Sequence, residues 1–108
     1  MAVTFDDIRE IALALPGVID GTSYRTPALR VKDKFLARLR EDDETVAFRV
    51  GFDERDLLMA AKPDVFFITE HYRGYPAVLL RLATATKADA AEVVRLAYES
   101  AAAKRKRS

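Results

Sequence analysis

The feature that most constrains the fold is a change of hydrophobic period to two between Thr22 and Val50. Three segments, RTPALRV, KFLARLR and TVAFRV, alternate apolar and polar side chains, and polar turns at residues 32–33 and 41–43 separate them. Alternation of this kind is typical of half-buried strands, and short turns join antiparallel neighbours. The sequence therefore predicts a three-stranded antiparallel meander.

Helical periodicity flanks this meander on both sides. Residues 4–15 begin with a Thr-x-x-Asp capping pattern, carry their apolar side chains on one stripe and end at a Pro-Gly pair. Asp53 is the predicted cap of a short second helix. A last helix begins at Thr86, with Asp89 three residues later, and its apolar residues also recur at helical spacing. Three helices are therefore predicted.

Two more strands are predicted between the second and third helices. The runs VFFIT and AVLLRL are short and apolar, and residues 70–76 join them. The element order is therefore α-β-β-β-α-β-β-α, with five short strands. Short connections between strands favour a largely antiparallel sheet with the helices on one face. The predicted fold class is an α+β two-layer sandwich.

Size and composition fit a single domain. The chain has 108 residues, half of them apolar, which suffices for one core. We assign residues 1–103 to that domain and residues 104–108 to a basic tail, which either extends a positive patch or serves as a solubilising end. The chain has no cysteine, no leader-like N-terminus and no apolar run that would span a bilayer. We therefore expect a soluble cytoplasmic protein without membrane contact.

No pattern in the sequence indicates catalysis, a metal or a cofactor. His71 is the single histidine, Ser23 is the one serine outside the C-terminal helix and tail, and neither lies in a pattern typical of a nucleophile with its base. The carboxylates at 42–43 and 53–56 do not follow the spacing of a calcium loop, and the four glycines form no phosphate-binding loop. We expect no enzyme activity, no metal and no cofactor.

Alternation along the predicted strands places arginines on one face of the sheet. In KFLARLR the pattern predicts that Phe35 points into the core and Leu36 away from it, since side chains alternate along a strand. The same alternation in the other strands leaves five arginines on the face without helices: Arg30, Arg38, Arg40, Arg49 and Arg81.

Such a face can bind phosphates. Guanidinium groups donate forked hydrogen bonds to phosphate oxygens, while Tyr24 and Tyr72 are candidate stacking rings and Arg73 is a further candidate contact. The alternative is an ordinary solvated face, on which arginines pair with cross-strand carboxylates. The strands supply almost no acidic partner. Because 18 basic and 17 acidic side chains leave a net charge of only +1, a local patch must attract any polyanion.

Several segments carry a family resemblance: ALALPGV, GTSYRTPALRV, KFLARLRED and DERDLLMAAKPDVFFITEHYRGYPAVLLRL. Together they resemble the MmcQ/YjbR family of small bacterial proteins over about residues 5–100. The most specific pieces are the Leu-Pro-Gly at 15–17, the Thr-Pro at 26–27, the Pro-x-x-x-Phe at 63–67 and the HYRGYP motif at 71–76. The resemblance implies a CyaY-like or secretion-chaperone-like fold, and a DNA-binding role based on a double-wing similarity to a viral transcription factor domain.

Two functions follow from these observations. The first is a DNA-binding or transcription-related module, in which the five arginines contact phosphate and Tyr72 stacks on a base. The second is a protein-interaction module, in which an edge strand or the exposed face receives a peptide or a second copy of the chain. In that case Leu36, Ala47 and Leu79 are expected to form the apolar centre of the face.

Overall fold

The computed structural model describes residues 3–23 and 26–102. Its helices and strands follow one another as α1 (Phe5–Leu13), β1 (Val18–Ser23), β2 (Thr26–Val31), β3 (Lys34–Leu39), β4 (Thr45–Arg49), α2 (Phe52–Ala61), β5 (Phe66–Phe67), β6 (Ala77–Arg81) and α3 (Lys87–Ala102). None of the helices in these ranges is long and apolar enough to cross a bilayer. Tyr24 and the predicted tail at 104–108 lie outside the described residues, and the domain boundary at 103 stays a prediction.

The α+β fold class is confirmed, with six strands where five were predicted. All neighbouring strands pair antiparallel, in the order β1-β2-β3-β4-β6-β5. The additional strand, β1, has the sequence VIDGTS, in which Asp20 and Gly21 interrupt the apolar alternation. It pairs with β2 from Val18 opposite Val31 to Ser23 opposite Thr26. Cross-strand pairing therefore outweighs the weak local strand propensity of this segment.

The three helices share one core with one face of the sheet. The core residues include Phe5, Ile8 and Ala12 of α1, Leu58 of α2, Ala90, Val93, Val94, Ala97 and Ala101 of α3, Leu29, Val31, Leu36, Ala37, Val46, Phe48, Val78 and Leu80 of the sheet, and Val50 just after β4. Because side chains alternate along each strand, the strand residues that lie between these core residues point to the opposite face of the sheet. We call the sheet face opposite the helices the outer face. It carries Arg30, Phe35, Arg38, Arg40, Ala47, Arg49, Phe67, Leu79 and Arg81.

A β-bulge in β3 changes which side chains of this strand reach the outer face. The turn at Lys32 and Asp33 has φ angles of 51° and 68°, which are typical of a two-residue hairpin turn and set Val31 opposite Lys34. Arg30 is opposite Phe35, whereas Leu29 is opposite Ala37, so Leu36 is the extra residue. Directly opposite residues share a face. The predictions that Phe35 points inward and Leu36 outward were therefore wrong.

The predicted caps of the first and last helices are confirmed. Thr4 and Asp7 exchange hydrogen bonds at the start of α1, and Thr86 and Asp89 do so at the start of α3. The second helix begins at Phe52, two residues earlier than a cap at Asp53 would place its start. Asp53 lies in the first turn of α2, where its carboxylate suits the helix dipole instead of capping the helix.

Candidate nucleic-acid interface

The structure places the five predicted arginines at the outer face in different environments. Arg30 on β2 and Arg49 on β4 are exposed, and neither side chain makes a hydrogen bond or an ion pair with any residue in the described ranges. Arg30 lies opposite Phe35 on β3 and Ile19 on β1. These two guanidinium groups are therefore available to an external anion.

The turn between β3 and β4 supplies acidic partners that the strands lack. Arg38 Nη1 lies 3.4 Å from Glu41 Oε2 and 3.3 Å from the hydroxyl of Thr26. Arg40 Nη1 lies 4.0 Å from Asp42 Oδ2. Alternation along the strands could not reveal these pairs, because the carboxylates belong to the turn. Arg38 and Arg40 are thus partly neutralised.

Hydrogen bonds hold the Asp42 carboxylate in its charged form. Asp42 Oδ1 accepts the backbone N–H groups of Glu44 at 2.8 Å and Thr45 at 3.0 Å, and the Thr45 hydroxyl also donates to it. Burial alone raises the pKa of Asp42, but these hydrogen bonds and the nearby Arg40 charge outweigh burial and lower the pKa below its ordinary value. The turn therefore gives Arg40 a permanent anionic neighbour.

Arg81 is fixed by an uncharged environment at the β5 side of the sheet. Its Nη1 donates to the backbone carbonyl of Asp64 at 3.0 Å, and its guanidinium lies 4.2 Å from the centre of the Phe67 ring. A carbonyl and an aromatic face orient the group without cancelling its charge. Arg81 thus stays positive but is less free to move than Arg30 or Arg49.

Residues 69–76, which we call the flap, bring three aromatic rings together between β5 and β6. The rings of His71 and Tyr72 meet edge to face at 5.1 Å between centroids, and those of His71 and Tyr75 lie 5.7 Å apart. The Arg40 guanidinium is 5.5 Å from the centre of the Tyr72 ring, which joins the flap to the outer face. Tyr72 is half-buried, whereas Tyr75 is 55% exposed.

Arg55 of α2 anchors the flap. Its Nη1 lies within 3.5 Å of three backbone carbonyl oxygens, those of Tyr72, Arg73 and Tyr75. The predicted contact Arg73 is itself exposed and paired with Glu70 at 2.9 Å. Sequence reasoning missed Arg55, because no local pattern shows that a residue on a short helix will reach a loop almost twenty positions away. Arg55 therefore positions the rings of the flap.

Replacing Arg55 by methionine is expected to release the flap. The variant keeps an apolar stem but loses the donor shared by three carbonyls, and water can satisfy those carbonyls only if the flap opens. We expect amide hydrogens of residues 70–75 to exchange about tenfold faster, equivalent to about 1.4 kcal/mol of local stability. Hydrogen exchange followed by mass spectrometry measures this. The control is Arg73→Met, which removes only an exposed ion pair and should leave the exchange rates of these amides nearly unchanged. If the Arg55 variant exchanges at the same rates as the unaltered protein, Arg55 does not anchor the flap.

The apolar centre predicted for the outer face is not open to a partner. Leu36 belongs to the core, and Ala47 and Leu79, although on the outer face, are buried. Ala47 lies between Arg38 and Leu79 in the register, and neither Ala47 nor Leu79 offers apolar surface to a partner. The prediction that these three residues form an exposed centre was therefore wrong.

A family model described as YjbR matches residues 13–100. Similar sequences include uncharacterized proteins of Mycobacterium bovis and of two strains of Mycobacterium tuberculosis. Each is 31% identical to this chain over 113 aligned residues, which cover 88% of this chain and 85% of the relative.

The fold is also found in a solved structure. The crystal structure of the Deinococcus radiodurans protein DR2400, which carries the domain DUF419, matches 95% of this chain and 81% of that chain with a TM-score of 0.77. The two sequences are 20% identical. At this identity the likeness concerns the arrangement of helices and strands, not the chemistry of the outer face.

Proposed function

This chain belongs to the YjbR family, and on that premise we propose that it is a cytoplasmic DNA-binding, transcription-related module that works without catalysis. DNA would lie against the outer face, where cations contact its phosphates and the contacts are mainly independent of base sequence. The absence of cysteine from the whole sequence suits a reducing compartment.

The observation that carries this proposal is the pair of exposed guanidinium groups on Arg30 and Arg49. Neither has a carboxylate partner among the described residues, and no helix covers the face on which they lie. An arginine without a partner can form a forked contact with a phosphate without first breaking an ion pair. Arg81 adds a third cation whose partners are a carbonyl and a ring.

The proposal that the module is not an enzyme is supported by the surroundings of its only histidine. The nearest ring partners of His71 are Tyr72 and Tyr75. Neither is an alcohol or thiol nucleophile of the kind that a histidine base activates in hydrolases.

The double variant Arg30→Ala/Arg49→Ala tests the DNA contact. We expect its affinity for a fluorescent DNA duplex at low salt to fall at least about tenfold, because two charge-assisted phosphate contacts are lost. The slope of log affinity against log salt should become shallower by about 2. Fluorescence anisotropy over a salt series measures both quantities.

The matched control removes two cations from the opposite side of the molecule. Lys87→Ala/Arg95→Ala changes the net charge by the same amount at two positions of α3, which packs on the helix side of the sheet, and removes only ion pairs with Asp7, Glu92 and Glu99 on that side. It should retain binding and salt slope. Equal losses in both double variants would mean that net charge, not the outer face, attracts DNA, and absence of binding by the unaltered protein at low salt overturns the proposal.

A second candidate function, protein interaction, is favoured by the free edge of β1. This strand pairs only with β2, and Ile19 on it is exposed. An open edge strand can receive a peptide or a second copy of the chain by extending the sheet. Light scattering over a range of concentrations tests self-pairing. A dimer that the substitution Ile19→Asp dissociates supports the edge contact. A protein that is monomeric at all concentrations rules out pairing between two copies of the chain.

A further inference from the structure

We infer that the outer face and the adjoining flap bind single-stranded nucleic acid in preference to duplex, with unpaired bases stacked on exposed or half-buried aromatic rings. This inference rests on the proposed function and names its substrate class. The rings concerned are those of Tyr75 and His71 on the flap and of Phe35 on β3. They are not the Tyr72 ring, which already has the Arg40 guanidinium on it.

The exposure of the flap rings is the first argument. Tyr75 is among the most exposed large apolar side chains of the described chain, and His71 beside it is exposed as well. The two rings are tilted at 5.7 Å between centroids, and Tyr72 packs edge to face on His71, while the exposure of Tyr75 and His71 leaves apolar ring surface in contact with water. A duplex hides the faces of its bases inside the stack, so such a ring surface can be used only by unpaired bases.

The position of the cations relative to these rings is the second argument. Val50 N–H, which follows Arg49, donates to the carbonyl of Pro76, which follows Tyr75, at 3.1 Å. On the neighbouring hairpin Arg30 lies directly opposite Phe35, which is half-buried on the outer face. The backbone thus places Tyr75 beside the strand end that carries Arg49, and Phe35 beside Arg30 in the sheet. Proteins that bind single strands combine cations along the backbone with rings under the bases in this way.

The anchoring of the flap is the third argument. Arg55 holds the backbone on both sides of Gly74 through the carbonyls of Arg73 and Tyr75, at 3.0 and 3.3 Å. A platform that is already ordered loses less entropy on binding than a mobile loop would. The flap is therefore ordered before the nucleic acid binds.

The experiment compares four fluorescein-labelled probes of one mixed sequence: single-stranded DNA, its complement, the DNA duplex and the corresponding single-stranded RNA. We expect both DNA single strands to bind the unaltered protein at least about tenfold more tightly than the duplex at equal salt. Tyr75→Leu should weaken single-strand binding about tenfold and leave duplex binding unchanged, whereas Tyr75→Phe, which retains the ring, should bind normally. Comparison of the RNA probe with single-stranded DNA of the same sequence shows whether the site distinguishes ribose from deoxyribose.

Leu13→Ala is the control for loss of exposed apolar surface, because Leu13 is 42% exposed but lies on α1, which packs on the helix side of the sheet. It should leave all affinities unchanged. A second readout is tyrosine emission, since the chain has four tyrosines and no tryptophan. Unlabelled single strands should quench it in the unaltered protein and less in Tyr75→Leu.

The outcomes separate the inference from the proposed function. Equal affinity for duplex and single strands, or an unchanged affinity of Tyr75→Leu, overturns the stacking inference while DNA binding by Arg30 and Arg49 stands. Absence of binding to all four probes at low salt overturns both. Single-strand preference together with loss of binding in Tyr75→Leu and its return in Tyr75→Phe supports the inference.

Discussion

Replacing Leu36 by alanine is expected to lower the free energy of unfolding by about 2–5 kcal/mol, whereas alanine at the adjacent Phe35 should lower it by only about 1 kcal/mol. The larger residue is thus expected to contribute less. Leu36 is fully buried in the core shared with the helices, while Phe35 is half-buried on the outer face opposite Arg30. Removing Leu36 leaves a cavity that the packed sheet cannot close, and removing Phe35 exposes a surface to water.

Urea denaturation followed by circular dichroism measures both variants. Their m-values should equal that of the unaltered protein, because neither change alters the area exposed on unfolding by much. If the pairing of Ala28 with Arg38 continued to the turn without a bulge, Leu36 would lie opposite Arg30 and be exposed, and Phe35 would lie opposite Val31 and be buried. A larger loss for Phe35→Ala than for Leu36→Ala therefore contradicts the register.

Because of the bulge, strand periodicity alone cannot predict which side chains of β3 lie on the outer face. The sequence predicted the strand and its neighbours, since these follow from local alternation. Two signals could have located the bulge: a two-residue turn at Lys32 and Asp33, which sets the register, and the adjacent apolar pair Leu36-Ala37. Together they require Phe35 to share a face with Arg30. Periodicity alone could not find this, because it assumes an uninterrupted ladder.

The candidate site was predictable where it depends on alternation and unpredictable where it depends on loops. Arg30 and Arg49 are exposed on the outer face, as their strand positions indicated. The partners of Arg38 and Arg40 come from the turn at Glu41 and Asp42. The Arg55 anchor likewise joins two segments distant in sequence. Such contacts arise from tertiary packing, which carries no local periodic pattern.

Replacing Asp89 by asparagine is the second change with a large expected effect, a loss of about 2–3 kcal/mol in the free energy of unfolding. Asp89 is only 7% exposed. Its Oδ1 accepts a hydrogen bond from Lys62 Nζ at 2.9 Å, and its Oδ2 accepts one from the Thr86 backbone N–H at 3.0 Å. It thereby caps α3 and joins that helix to the end of α2. An amide nitrogen would point a donor at one of these two donors.

The loss caused by Asp89→Asn should depend on pH. Burial raises the pKa of Asp89, but the hydrogen bonds from Lys62 and Thr86 outweigh it, so the net pKa lies below the ordinary 3.8. A carboxyl with a lowered folded-state pKa stabilises the fold above its unfolded pKa, and this stabilisation is lost as the pH falls through the folded pKa. The difference between the unaltered protein and Asp89→Asn should therefore be full at pH 7 and shrink below about pH 4.

Urea denaturation between pH 7 and pH 3 tests this dependence. The other carboxyls with lowered pKa values, Asp7, Glu41 and Asp42, are present in both proteins, so their titration cancels in the difference. Thr86→Ala is the control, because it removes the capping hydroxyl but keeps the Asp89 carboxylate and its Lys62 partner. It should be destabilised by about 1 kcal/mol yet retain most of the acid sensitivity of the unaltered protein. A loss in Asp89→Asn that stays constant down to pH 3 would show that the carboxylate charge does not stabilise the junction between α2 and α3.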